Sequence, residues 1–155
     1  MGETSLIGSD HCCYDTEQKF RHPDDFRLMP NGLPGVQTRL PVMFSEAVIK
    51  RNLPVERFVD LESTAPAKLN GLYPRKGVIQ PGSDADLVIL DPTKRSVLDD
   101  ETLNMKTDYS SFDGLEILGE VRQVIARGDL VAEGVSFVGE EHRGVVVESE
   151  EIVTQ

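Results

Sequence analysis

Apolar positions along this chain follow one period in its first half and another in its second. Ser5-Leu6-Ile7-Gly8 is a short apolar run that ends in the polar group Ser9-Asp10-His11, the pattern of a strand delivering polar side chains at its C-terminal tip. Between Cys12 and Gly35 the chain is polar and broken by Pro23, Pro30, Gly32 and Pro34, which predicts a long irregular loop. Loops of that length usually carry function or disorder. Leu40, Met43, Phe44, Ala47 and Val48 then recur at helical spacing, with Pro41 in the first turn, where its missing N–H costs nothing. Pro54 opens a second predicted helix that holds Val55, Phe58 and Val59. Thr64 is the expected N-cap of a third, short helix, with Pro66 just inside it and Gly71 just past its end.

After Gly77 the period shortens. Asp86-Leu87-Val88-Ile89-Leu90-Asp91 reads as a buried strand closed by Pro92. Val121, Val124 and Ile125, followed by Leu130 and Val131, flank Arg127-Gly128-Asp129, which predicts a hairpin. Val135 to Val138, after Gly134, is a third expected strand. The change near Gly77 divides a helical part, residues 1–76, from a strand part, residues 77–139, and an acidic stretch, residues 140–155, follows as a tail.

Composition narrows the function classes. At 155 residues with 39% hydrophobic and 28% charged positions, the chain has the size of one domain and the make-up of a soluble globular protein. A formal net charge of −11 repels phosphate backbones and anionic lipid surfaces, and no apolar run is long enough to span a bilayer. Neither nucleic acid nor a membrane is therefore an expected partner. The start of the chain lacks the basic segment and apolar core of a secretory signal. Cys12 and Cys13 are adjacent, a spacing that suits neither a zinc knuckle nor a CxxC redox pair. Free thiols in a reducing cytoplasm are the expectation.

Candidate chemistry is sparse. A carboxylate at the end of a strand is held by a rigid backbone and faces solvent, so Asp10 suits metal ligation or proton transfer. On residue type alone, Asp10 as a plain turn former is the commoner reading. His11 follows it on the opposite side of a strand and is assigned a structural role. A catalytic zinc takes about three protein ligands, whereas His11, His22 and His142 are far apart in sequence. Asn31-Gly32-Leu33-Pro34-Gly35 is rich in breakers, so it is either an ordinary turn or a loop whose free backbone groups read an amide.

Taken in order, Gly8-Ser9-Asp10-His11-Cys12, Asp25-Phe26, Pro30-Asn31-Gly32, Gly35 and Phe44-Ser45-Glu46-Ala47-Val48 resemble the last barrel strand and following loop of the dihydropyrimidinase and D-hydantoinase family, within the amidohydrolase superfamily. Phe58-Val59-Asp60, Ser63 to Lys68, Gly71 to Gly77 and Gly82 to Val88 are similar to further segments of that family, so the resemblance covers nearly everything but the tail. It implies an α/β fold, the C-terminal end of a (β/α)8 barrel plus strands of a small β-sandwich. Ser5 to Asp10 would be the eighth strand, the helices after Leu40 would close the barrel, and the strands after Gly77 would enter the sandwich.

The same resemblance implies a hydrolase that opens cyclic amides, dihydropyrimidine or hydantoin rings, with two divalent cations, expected to be zinc. Asp10 corresponds to the family's aspartate that ligates one metal and exchanges a proton during ring opening, so it is the implied catalytic residue and metal ligand. Asn31 corresponds to the asparagine that holds the cyclic amide through its backbone, the implied substrate-binding residue. The family's HxH pair, carboxylated lysine, two further histidines and oxyanion tyrosine have no match. The expectation is therefore a truncation, an internal start or a piece of a split enzyme, inactive by itself. Its implied partners are a small cyclic-amide substrate and either a second copy in a homo-oligomer or the missing barrel portion. The alternative is a non-catalytic binding or assembly module related to dihydropyrimidinase-like proteins, against which both Asp10 and Asn31 stand.

Overall fold

The computed structural model describes residues 4–149. Its helical part opens with a single turn, α1 (Thr16–Lys19), and a 3-10 turn over Phe26–Leu28, both inside the expected irregular loop. The next helix, α2 (Arg39–Met43), continues without a break into a wider π-helical stretch, Phe44–Ile49. Its apolar spacing is the one predicted, and it buries Val42, Phe44 and Ser45.

The two helices expected after Pro54 are one run. Here α3 (Val55–Val59) passes through a π-helical stretch, Asp60–Thr64, into α4 (Ala65–Leu69). Thr64 does not cap anything: it is helical at φ −69° and ψ −49°, and its hydroxyl donates to the Gly77 carbonyl at 2.7 Å. Pro66 has no N–H to return to the preceding turns. The Leu61 carbonyl, five residues before it, instead accepts the Ile7 N–H at 3.0 Å. The run ends as the sequence suggests, with the Gly71 N–H on the Lys68 carbonyl and the Leu72 N–H on the Ala67 carbonyl at 3.2 and 2.8 Å, a Schellman closure.

Four antiparallel strands form one sheet in the order β1-β2-β3-β4: β1 is Leu87–Val97, β2 Glu116–Ala126, β3 Asp129–Glu133 and β4 Ser136–Phe137. The predicted hairpin is there, with Ala126 opposite Asp129 and both Arg127 and Gly128 at positive φ, 50° and 86°, the type I′ geometry that matches strand twist. Two expectations for β1 fail. Pro92 does not close it, because the strand runs on to Val97 with a register shift between Asp91 and Arg95, and a proline is accommodated at such an irregularity on an edge strand. Nor is it buried, since Val88 and Ile89 remain 49% and 45% exposed.

Ser5 to Asp10 forms no strand: among the described residues the Ile7 N–H bonds to the Leu61 carbonyl, and the Thr4 carbonyl just before the stretch accepts from the Arg57 guanidinium at 2.5 Å. An isolated extended segment cannot satisfy a ladder without neighbouring strands. Of the expected tail, residues 140–149 carry no regular element, and Arg143 ties them to the hairpin by donating to the Ala126 carbonyl and to Asp129 at 2.7 and 2.8 Å. The rest of that stretch lies outside the described residues. None of the described helices is long and apolar enough to cross a membrane.

Helix and sheet meet at one junction. Phe44 lies edge-on to Phe58 with centroids 5.6 Å apart, and the fully buried Ser45 hydroxyl accepts the Leu118 N–H at 3.0 Å. A second buried contact joins α2 to the long helical run. The Glu62 carboxylate, 3% exposed, faces the Arg39 guanidinium at 3.0 Å, yet neither of its oxygens has a well-formed hydrogen bond. Burial pushes this carboxyl up from its ordinary 4.5, and Arg39 only partly offsets the effect. A carboxyl whose folded value is raised binds its proton more tightly when folded, so its contribution to stability is greatest below 4.5 and declines as pH rises through the raised value. Wild-type chain should therefore lose stability relative to Glu62→Gln as pH increases over that window. Urea denaturation of both proteins across the range checks this, and a constant gap would rule it out.

Candidate functional site

The segment carrying Asp10 and the loop carrying Asn31 lie side by side. His11 pairs in parallel with Leu33 in an isolated bridge, and the Cys12 N–H donates to the Leu33 carbonyl at 3.1 Å. The His11 ring closes the arrangement, its Nδ1 accepting the N–H groups of Gly35 and Val36 at 3.1 and 3.4 Å. An Nδ1 that accepts leaves the ring proton on Nε2. The structural role expected of His11 is the one it has. The reason differs from strand alternation, because Asp10 is left-handed at φ 44° rather than extended, a conformation that aspartate tolerates better than most residues.

Asp10 and Asn31 are both exposed. Asp10 therefore presents its carboxylate at an open edge, and its own carbonyl approaches the Gly32 position. Asn31 sits between two carbonyls, those of Pro30 and Gly32, that each accept from the Lys19 ammonium at 2.5 Å. Gly32 is needed where it is. It adopts φ +89°, and a Cβ there would stand 2.3 Å from the Cys12 sulfur and 2.7 Å from the Cys12 Cβ. Gly32→Ala should cost about 1–2 kcal/mol through left-handed strain and displace the loop. Pairing it with Cys12→Ala should restore only part of that loss, because the residue-12 Cβ still obstructs. Thermal unfolding of the single and double variants decides the point.

Past the loop, Thr38 is wholly buried and the Arg39 N–H donates to the Gly35 carbonyl at 2.9 Å, so α2 starts directly from the site. At the loop's other end, Arg27 bonds hold the Asp25 carboxyl below its usual value.

Among the described residues no three His, Cys, Asp or Glu side chains stand close enough together to hold a metal ion. His142 lies on the tail with its side chain 95% exposed. The donors present are a single carboxylate, Asp10, beside a histidine already engaged by backbone N–H groups, so this set does not fit a two-cation centre without donors from elsewhere.

Lys19 and Cys12 were not singled out as parts of the site by sequence reasoning. One signal was available for Lys19: Asp15 and Gln18 have the spacing of a reciprocal capping box, which places Lys19 in the turn that follows. Nothing in the sequence marks the packing of Cys12 under Gly32.

Known proteins resemble this chain over most of its length. The model of the amidohydrolase family matches residues 2–131. The D-hydantoinase of Geobacillus stearothermophilus is 43% identical over 147 residues, 94% of this chain and 31% of that protein. The D-phenylhydantoinase of Escherichia coli O1:K1 is 37% identical over 144 residues, 92% of this chain and 31% of that protein. Among solved structures, the D-hydantoinase (dihydropyrimidinase) from Thermus sp. superposes with a TM-score of 0.88 at 42% identity, over 91% of this chain and 31% of that one. The L-hydantoinase (dihydropyrimidinase) from Arthrobacter aurescens gives 0.80 at 38% identity, over 88% and 30%. The chain thus spans about a third of the length of the relatives it matches. With its mixed helices and antiparallel sheet matching hydantoinase structures, and the family model covering most of its length, this chain belongs to the amidohydrolase family.

Proposed function

We propose that these residues are the C-terminal third of a cyclic-amide hydrolase of the hydantoinase and dihydropyrimidinase type. Residues 1–76 are the end of its barrel with the substrate loop, residues 77–139 are a portion of its β-sandwich, and residues 140–155 are a tail. The observation that carries the reading is the lateral pairing of the Asp10 segment with the Pro30–Gly35 loop through His11, Cys12 and Leu33. It brings the exposed Asp10 alongside the loop that carries the exposed Asn31.

Opening a cyclic amide requires that water lose a proton as it attacks the carbonyl and that the departing nitrogen gain one. Asp10 is the group assigned to carry that proton. A cyclic amide offers one carbonyl and one N–H on adjacent atoms, and a peptide backbone offers complementary groups at similar spacing. The Asn31 backbone is therefore assigned to hold the ring. A divalent metal, two zinc ions in the reading the resemblance implies, would take Asp10 as one donor, and its other donors are not supplied by the described residues. The isolated chain is accordingly expected to be inactive, with the remaining barrel portion or a homo-oligomeric assembly as its partner and the reducing cytoplasm as its setting.

The test is a chimera in which this chain replaces the matching third of the Geobacillus stearothermophilus D-hydantoinase. It should open hydantoin or dihydrouracil rings when loaded with divalent metal, while the 155-residue chain alone should not. A folded, metal-loaded chimera without turnover on either ring would overturn the proposal.

A further inference from the structure

We propose that Lys19 is a positioning residue for the amide-reading loop: its ammonium clamps the carbonyls on both sides of Asn31 and so dictates which way the Asn31 N–H faces. The link to substrate rests on the function proposed above, whereas the clamp itself rests on geometry alone.

The delivery of Lys19 is elaborate for so small an element. A helix of four residues does not persist in isolation, and α1 is held from several directions. Asp15 accepts the Gln18 N–H at 2.7 Å while Gln18 accepts the Asp15 N–H at 2.9 Å. Asp108, far away in the chain, accepts both the Thr16 N–H and the Thr16 hydroxyl at 2.8 and 3.0 Å, and these bonds hold its carboxyl below its usual value. Of the residues in this turn only Lys19 is buried, at 8% exposure. A buried ammonium is costly unless its donors are used. Here they go to Pro30 and Gly32, and the Tyr14 ring lies 5.5 Å away as a cation–π contact.

The consequence follows from peptide planarity. In a trans peptide the N–H points opposite to the C=O. Because the Pro30 carbonyl points at Lys19, the Asn31 N–H of the same peptide points away from it. The Gly32 carbonyl turns the Leu33 N–H away from Lys19 in the same manner, toward the Asp10 segment across the parallel His11–Leu33 bridge. One cation thus sets both peptides and polarises them, and the Asn31 N–H is the donor that it turns outward. The Asn31 carbonyl, in the peptide between them, is left free to choose its acceptor role. This suits a ring that offers a carbonyl oxygen to the Asn31 N–H, and it depends on a side chain that touches no substrate.

The experiment compares wild-type chain with Lys19→Met, which keeps the stem and removes every donor, and with Lys19→Arg, which keeps the charge. In carbon-detected NMR of the 155-residue chain, Lys19→Met should move the Pro30 and Gly32 carbonyl resonances upfield and leave those of the sheet in place. Amide exchange at Cys12 and Gly35 should accelerate about tenfold or more, the size expected from losing hydrogen bonds to a charged group, and Lys19→Arg should recover part of it. Unchanged carbonyl shifts and exchange in Lys19→Met would overturn the clamp. Should that variant fail to fold, the wild-type chain decides: couplings from the Lys19 ammonium to the Pro30 and Gly32 carbonyls must be seen, and their absence overturns it equally. In the chimera, Lys19→Met should raise KM for the ring with little change in kcat, and an unchanged KM overturns the positioning role. A chimera inactive with Lys19 in place would instead sink the hydrolase reading, leaving the clamp to the NMR result.

Discussion

Asp10→Asn in the hydantoinase chimera is expected to lower kcat by about 10²- to 10⁴-fold, the usual worth of a positioned acid–base group, with KM changed little. The substitution keeps the shape and the oxygen acceptor and removes the capacity to take up a proton. It should be nearly silent for folding. The side chain is exposed, and asparagine tolerates the left-handed backbone at φ 44° about as well as aspartate does. Loss of turnover would therefore report chemistry rather than unfolding, which matched thermal melts can verify. Asp10→Ala should be as inactive and somewhat less stable, since alanine lacks the local hydrogen bonding that makes this conformation acceptable. Retention of near-normal kcat by a folded Asp10→Asn chimera would remove Asp10 from the mechanism.

The readable parts of this chain are those in which local preference and tertiary demand agree. The spacing of Leu40, Met43, Phe44 and Ala47 gave the helix now seen over 39–49 because that face meets the sheet. Arg127-Gly128 marked the hairpin because a two-residue turn selects positive φ at both places. Misreadings occur where a local signal was answered from a distance. Thr64 has the look of a cap, but its hydroxyl is claimed by the Gly77 carbonyl, and Pro66 is absorbed because the wider turn before it hands the Leu61 carbonyl to Ile7. Pro92 looked like a terminator, yet an edge strand with an irregular register has no N–H to ask of it. The exposure of Val88 and Ile89 could not be seen from their composition, since β-branched residues mark a strand without saying whether both its faces are covered.

The site divides in the same way. Asp10 and Asn31 were singled out through their neighbours in an ordered family pattern. Their proximity was not, because it depends on a parallel bridge between residues 22 positions apart, His11 and Leu33. Lys19 has no periodic signature, and lysine is seldom buried unless paired. Only its partners, two backbone carbonyls, explain it.

Gly119→Ala is the substitution expected to damage the fold most. Gly119 sits in the middle of β2 at φ +102°, and a Cβ there would lie 2.5 and 2.8 Å from two carbons of the Phe44 ring and 3.4 Å from Leu90. The ring has little room to retreat. Phe44 is only 7% exposed and is backed by Phe58, while the Leu118 N–H bond to Ser45 fixes the helix height over the strand. Backbone strain of about 1–3 kcal/mol adds to overpacking of about 1–3 kcal/mol, so a loss of about 2–6 kcal/mol is expected from a total that for most domains is about 5–15 kcal/mol. Phe44→Leu shortens the obstruction, so the double variant should be less destabilised than the sum of the singles, by an interaction energy of about 1–3 kcal/mol. Strictly additive losses would show that the ring contact does not limit this position. The damage should also reach the site. The helix that Phe44 anchors begins at Arg39, whose N–H holds the Gly35 carbonyl, and Gly35 in turn donates to His11. Any Gly119→Ala protein that remains folded should accordingly show altered amide resonances at Gly35 and Asn31, far along the chain from the substitution, while the Arg127-Gly128 hairpin turn keeps its own.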